Sequence, residues 1–340
     1  MNLSIITTIG INAGDNFIYE GFKKLFPVKK YGSILLINKA DVPRSKEYRE
    51  LIDLSDIIVI CGSPIFYKEC YKMKWQNRIL DYSKKSGKKI LLFAVGSNFL
   101  CSADGKVKPP VETRDGRYRK FVSRYNEAII DGFNVRDRYC RNFLNGLGFQ
   151  NVNQVSCPSL FSGDMRIKDN DADLIFLIWG DDYWSCKLSP KKILKICHEI
   201  KAILEKEFSQ QKVVWVCHDF NSYKRLLKKV KNQEVLFSNN YIDFFKYYKR
   251  CRFAFSVKVH GSMLLSSMGI PSLLLQLDSR ASVIEALDET YAVPAMETEE
   301  IAEMCLQKFD NKGEFRDKIN YLKDKYKKEY NHLFEKLGFI

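Results

Sequence analysis

The chain has 340 residues, about twice a typical domain, with 46% hydrophobic and 28% charged residues. That balance excludes a disordered or collagen-like chain, and ten cysteines without a CxxC pair exclude a small disulfide scaffold and argue for reduced thiols. Lys and Arg (55) outnumber Asp and Glu (41), a net charge of +14 that asks for an anionic partner; the basic residues are dispersed, without zinc-finger spacing or an RGG tract, so no nucleic acid is expected.

In chain order, β-rich runs at residues 3–8, 33–37, 56–61, 89–95 and 151–156 alternate with segments long enough for crossover helices. A second series follows at 173–179, 212–217, 252–257 and 272–277. The alternation predicts an α/β fold in two domains, each a largely parallel sheet covered by helices on both faces. The domains are expected at 1–160 and 170–310, joined by a Ser-, Gly- and Asp-rich linker at 158–173. Between the first domain's strands, 97–122 holds Gly105, Pro109, Pro110, Gly116 and six Lys or Arg, which reads as a solvated excursion or as a flap meeting an anionic substrate. Ser189-Pro190 predicts a helix start, and Asn240 or Ser238 predicts a cap for a helix over 241–250. Residues 311–340 place Phe315, Ile319, Leu322, Tyr326, Leu333 and Phe334 at helical spacing, one amphipathic helix packing back across the domains. The first residues lack a basic n-region and no run is apolar enough for a membrane span, so a cytoplasmic protein is expected, with peripheral contact to the inner membrane face through charge.

The segment 252–271 reads as strand, tight turn, short helix, Gly269 and Pro271. It delivers Lys258, His260, Gly261 and Ser262 to the carboxyl edge of the second sheet, where open α/β folds bind ligands and a helix start offers backbone N–H groups to an anion. Two cationic side chains two residues apart aim at one point there. His218 and Asp219 end another strand at the same edge, and Gly180, within Trp179-Gly180-Asp181-Asp182, is either a tight turn or a place where backbone approaches a donor group. Four scattered histidines and unpaired cysteines carry no metal-ligand spacing, so no metal is expected.

Residues 256–280 resemble the polysaccharide pyruvyl transferase family, whose hallmark is an Arg-x-His strand end, a small-residue helix, Gly-x-Pro and a further strand. Asn12-Ala13-Gly14-Asp15 is similar to that family's Asn-x-Gly-Asp turn, Val135-Arg136-Asp137 to its Val-Arg-Glu/Asp turn, and Leu277-Asp278-Ser279-Arg280 to its Tyr-Asp-x-Lys ending. This sequence departs from the pattern in having Lys258 for the family Arg, Asn16 for a frequent acidic residue, and Cys61-Gly62-Ser63-Pro64 for a glycine-rich turn. The resemblance implies a GT-B-like pair of Rossmann-like domains facing a cleft. It also implies a phosphoenolpyruvate-dependent transferase that builds a cyclic pyruvate ketal on a sugar for surface (capsular or exo-) polysaccharide, the acceptor being lipid-linked or nucleotide-linked. On that reading the second domain is the donor side: His260 is the acid or the proton donor to departing phosphate, and Lys258, Arg280, Gly180 and the N–H groups of Gly261 and Ser262 hold the donor. The first domain is the acceptor side. Asp15 binds or deprotonates the acceptor hydroxyl, with Asn12, Gly14, Arg136, His218 and Asp219 around it. Arg136 either pairs with Asp137 or holds an anionic group. The alternative activity on the same architecture is nucleotide-sugar glycosyl transfer.

Overall fold

Two parallel sheets carry the fold, and their strands are the apolar runs of the sequence. The computed structural model describes residues 2–8, 12–26, 33–109, 116–165, 172–180 and 188–339. In the first sheet the order is Ile34–Asn38, Leu3–Thr7, Ile57–Cys61, Ile90–Phe93, all parallel. In the second it is Val235–Leu236, Lys212–Cys217, Leu174–Trp179, Cys251–Ser256, Ser272–Leu274, again parallel. Leu3, Ile5, Ile58, Val59 and Ile60 in one sheet, and Ile175, Phe176, Val214 and Phe253 in the other, are wholly buried, as helices on both faces require.

The strand expected at 151–156 is only Val152–Gln154, paired with Phe133–Val135 in a separate two-stranded ribbon that touches the first sheet through the Val95–Val135 bridge. Its polar, exposed Asn153 and Gln154 do not suit a sheet interior. The 97–122 stretch is also more ordered than expected. Gly96–Asn98 pairs with Pro64–Tyr67, Leu100–Cys101 with Val107–Lys108, and a helix already runs over Gly116–Ala128. The hairpin is docked on the second half, through a Leu100–Asp278 bridge and an Ala295 N–H that donates to Ala103 O at 3.0 Å. Pro110 and Arg114 lie outside the described residues.

The expected linker is not an exposed connection. Pro158–Phe161 forms a buried 3-10 turn against the Ala13–Leu25 helix, so close that a Cβ at Gly21 would fall 1.7 Å from Pro158 O. Residues 166–171 of that stretch are outside those described. The Ala13–Leu25 helix is shared by both halves: Ile18, Phe22 and Leu25 pack beneath the first sheet, whereas Ala13 and Phe17 enter the core of the second with Phe176, Val216, Phe244 and Tyr248. Ala13 N–H donates to His218 O at 3.1 Å, which ties the helix start to the second sheet's edge.

The last helix, Lys312–Lys336, stacks Tyr330 and Phe334 on Phe93 of the first sheet, with centroids at 5.0 and 5.9 Å, and buries Phe315 and Ile319 in the same cluster as Leu274 and Ile284 of the second half. Among the described residues no helix is long and apolar enough to cross a membrane. The nine described cysteines are buried and none of them is in a disulfide, which fits reduced thiols.

Candidate active site

Lys258 caps the Val259–Ser267 helix immediately after the Cys251–Ser256 strand. Ser256 fixes the turn by accepting from Lys258 N–H (3.0 Å) and donating to Lys258 O (2.9 Å). The same carbonyl also takes the N–H groups of Gly261 (3.0 Å) and Ser262 (3.3 Å), so these two amides are spent within the turn and are not the expected anion donors. The leading amides are those of Val259 and His260, which line the cavity described below. Ser262 contributes instead a buried hydroxyl without a partner. Gly261 leaves room for its neighbours, since a Cβ there would meet Ile178 Cδ1 at 2.9 Å and His218 Cε1 at 3.1 Å.

The stem of Lys258 lies directly on Gly180, where a Cβ would fall 1.6 Å from Lys258 Cε. Gly180 is therefore approached by a side chain of this chain, in place of the donor group expected over its backbone; Asp181 and Asp182 are outside the described residues. Lys258 Nζ stands 3.9 Å from Asp219 Oδ2. Asp219 caps the Phe220–Leu227 helix, its oxygens accepting from Ser222 N–H and Oγ, both at 2.8 Å.

His260 is enclosed. Its Nε2 lies 3.4 Å from Arg136 Nη1, and because a guanidinium only donates, Nε2 is the acceptor and the ring proton belongs on Nδ1. Burial holds its pKa well below the ordinary 6.5, reinforced by Arg136, Arg280, His218 and Lys258, so the imidazole is neutral. Arg136 is itself buried. Among the described residues its guanidinium is hydrogen-bonded to His260 and Cys157 Sγ (3.8 Å), and its Nε and Nη2 have no hydrogen-bond partner. Asp137 does not pair with it: that carboxylate accepts from Ser97 Oγ (2.6 Å), Ser97 N–H (2.8 Å) and Cys140 N–H (2.7 Å). Of the two expectations for Arg136, the one with Asp137 is therefore not met, and Arg136 stands behind His260, off the cavity wall.

The cavity is lined by Asn12, His218, Lys258, Val259, His260, Asp278 and Arg280, and holds about 30 Å³, room for one or two waters. Arg280 wraps its fork around Asp278, Nε at 2.9 Å from Oδ1 and Nη2 at 2.6 Å from Oδ2. Asn12 caps its helix by accepting from Gly14 N–H at 2.9 Å, and Gly14 lies flat against His260. His218 lines the wall but points its Nε2 at Tyr248 OH (2.6 Å), between the rings of Phe17 and Phe244. Asp15 is not on the wall; it lies in the first helical turn, 3.9 Å from Lys39 Nζ.

A second pocket of about 430 Å³ adjoins the cavity through Asn12 and His218, and is lined further by Asn16, Asp219, Phe220, Asn221, Arg225, Phe237, Ser238, Asn239 and Tyr241. Among the described residues no group of three His, Cys, Asp or Glu is placed to hold a metal ion. Sequence reasoning missed Ser97 and Ser279, whose hydroxyls meet at 3.0 Å and join the Asp137 turn to the Asp278–Arg280 turn across the two halves. Only Ser279, quoted within the 277–280 ending, had any signal in the sequence.

Two parallel α/β halves with a cationic cavity where their edges meet define a GT-B-like protein. Solved structures agree on the fold: an S. aureus MnaA–UDP complex (11% identity, 100% of this chain and 97% of that chain, TM-score 0.56) and Methanocaldococcus jannaschii UDP-GlcNAc 2-epimerase with UDP-GlcNAc and UDP (13%, 91% and 93%, 0.55). Neisseria meningitidis UDP-GlcNAc 2-epimerase bound to UDP-GlcNAc is a third (12%, 94% and 94%, 0.50). At these identities they speak to the fold alone. No curated protein matches the sequence significantly. The sequence does match Polysaccharide pyruvyl transferase over residues 12–279, and the chain belongs to that family of transferases of polysaccharide biosynthesis.

Proposed function

We propose that the protein transfers the enolpyruvyl carbons of phosphoenolpyruvate to two hydroxyls of one sugar, giving a cyclic pyruvate ketal and phosphate. The observation that carries the reading is Lys258 and His260 on the wall of a cavity at a helix start, with the partly unpartnered Arg136 behind His260. In the reaction, C3 of the donor gains a proton, both hydroxyl oxygens bond to C2, and the C2–O bond to phosphate breaks. Of the two protons the hydroxyls lose, one offsets that gain and the other leaves with phosphate.

Each residue type has work in that sequence. A phosphate and a carboxylate brought into a site of Lys258 and Arg136 raise the affinity of His260 for a proton, which it then gives to C3 or to the leaving phosphate. Lys258 and the Val259 and His260 amides balance charge on the phosphate, Arg280 on the wall suits the carboxylate, and Arg136 acts through His260 from behind it. The cavity admits the donor once Lys258 or Arg280 leaves its own carboxylate, Asp219 or Asp278. Of the candidate bases, Asp219 borders both Lys258 and the larger pocket, whereas Asp15 borders neither. No step needs a metal. The acceptor is a sugar on a lipid or nucleotide carrier for surface polysaccharide, and the +14 charge suits a cytoplasmic protein resting on an anionic membrane face.

Calorimetric titration with phosphoenolpyruvate, beside uridine diphosphate, tests the reading. Saturable phosphoenolpyruvate binding that weakens in His260→Ala is expected. Binding of uridine diphosphate with none of phosphoenolpyruvate overturns it in favour of glycosyl transfer.

A further inference from the structure

The 430 Å³ pocket beside the cavity takes no part in the donor chemistry, and we propose that it is the subsite for the acceptor, receiving a pyranose ring stacked on Phe220. The proposal rests on the pyruvyl-transfer reading for what happens to that ring, not for its binding.

Phe220 opens its helix with half of its surface exposed, 50%, inside a concave wall. Phe237 backs it at 5.9 Å and is itself stacked on Tyr223 at 4.8 Å, so the ring is held as a platform. Lys224 Nζ stands over the ring at 5.2 Å, and once that ammonium swings aside the fixed aromatic face suits the C–H face of a sugar ring. Around it stand Asn16, Asn221 and Asn239, whose amides donate and accept at once, as paired hydroxyls require.

Charge divides the two spaces. The larger pocket has one carboxylate, Asp219, and one guanidinium, Arg225, which cancel formally; the smaller has Lys258 and Arg280 against Asp278. Three helices start at the larger pocket, and at each the capping side chain takes one leading amide: Asn12 accepts from Gly14 N–H, Asp219 from Ser222 N–H and Asn240 from Ile242 N–H. With the formal charges of its described lining cancelled and one leading amide of each helix already taken, a neutral polyol fits it better than an anion. Its volume lies in the range of small-molecule sites, roughly 300–1,000 Å³. Because Asn12 and His218 border both spaces, a ring seated here presents its edge to the donor cavity.

The test is saturation-transfer difference NMR on the full chain, with the methyl glycosides of glucose, galactose and N-acetylmannosamine as probes, phosphoenolpyruvate present, and uridine diphosphate as competitor. At least one glycoside is expected to show ring-proton saturation that falls about fivefold in Phe220→Ala and Phe220→Leu and returns in Phe220→Tyr, which keeps the ring. Phosphoenolpyruvate titration should be unchanged in all three. No saturation with any glycoside in the wild type, equal saturation in Phe220→Leu, or displacement by uridine diphosphate overturns the proposal. Failure of the wild type to bind phosphoenolpyruvate, with the glycoside effect intact, would instead overturn the donor reading and leave the subsite standing.

Discussion

Gly14 and His260 meet so closely at the junction of the two halves that a Cβ at residue 14 would fall 2.4 Å from His260 Nδ1. The first helix of the chain thus sets the position of a ring on the helix that follows a strand of the far sheet. Gly14→Ala favours the helix by propensity, by up to about 1 kcal/mol, so its cost falls on the imidazole. The expected result is a melting temperature within a few degrees of wild type together with at least a tenfold loss of turnover, equivalent to about 1.4 kcal/mol. Unchanged turnover would detach His260 from the chemistry.

Lys258 and Gly180 form a second pair of this kind, with the lysine stem occupying the space a side chain would need. Gly180→Ala is expected to weaken phosphoenolpyruvate binding as Lys258→Ala does, because the displaced ammonium no longer reaches the cavity. The double variant should bind no worse than the weaker single one, since neighbours acting through one group are not additive. Additive losses in calorimetry would show that Gly180 acts separately.

Much of the fold was readable because both sheets are buried on two faces and their strands are plain apolar runs; 212–217 and the capped start at Pro190 follow from local chemistry alone. The terminal helix is legible from its stripe. Phe133–Val135 and Val235–Leu236 were not, being two or three residues long with no period to detect. In the site, the Lys258-x-His260 strand end announced itself by charge and spacing, whereas the fit of Gly14 to His260 and of Gly180 to Lys258 did not. Those are contacts between chain segments hundreds or tens of residues apart, and a glycine does not say in sequence what will lie against it. The linker misled for the opposite reason: its Ser and Gly suit tight packing against the first helix as well as they suit a loop.

His260 is neutral because it is buried among cations, and an anionic donor reverses part of that balance. Binding of phosphoenolpyruvate near pH 7.5 should therefore be accompanied by proton uptake, read as a dependence of the calorimetric enthalpy on the ionisation enthalpy of the buffer. The uptake should vanish in His260→Gln. The same burial has a sign for stability. An unfolded imidazole takes a proton below about pH 6.5 while the folded one does not. The contribution is thus full above that pH and is lost as the pH falls, at up to about 1.4 kcal/mol per pH unit. Ligand-free wild type should lose more melting temperature between pH 7 and pH 5 than His260→Gln does; equal losses would contradict the neutral assignment.

Arg136 sets stability against function most directly. It keeps a guanidinium in the interior with Nε and Nη2 unpartnered and Asp137 committed elsewhere, an arrangement that costs the ligand-free protein free energy. Arg136→Met retains the length and apolar stem while removing the charge. The ligand-free variant is expected to melt at or above the wild-type temperature, yet to bind phosphoenolpyruvate at least about tenfold more weakly, as loss of a buried positive charge just behind the cavity wall implies. Its imidazole should also titrate closer to the ordinary value, visible in the histidine ring resonances, since one of the cations that keep His260 neutral is gone. A destabilised Arg136→Met that still binds the donor normally would make Arg136 a packing residue with no part in donor binding.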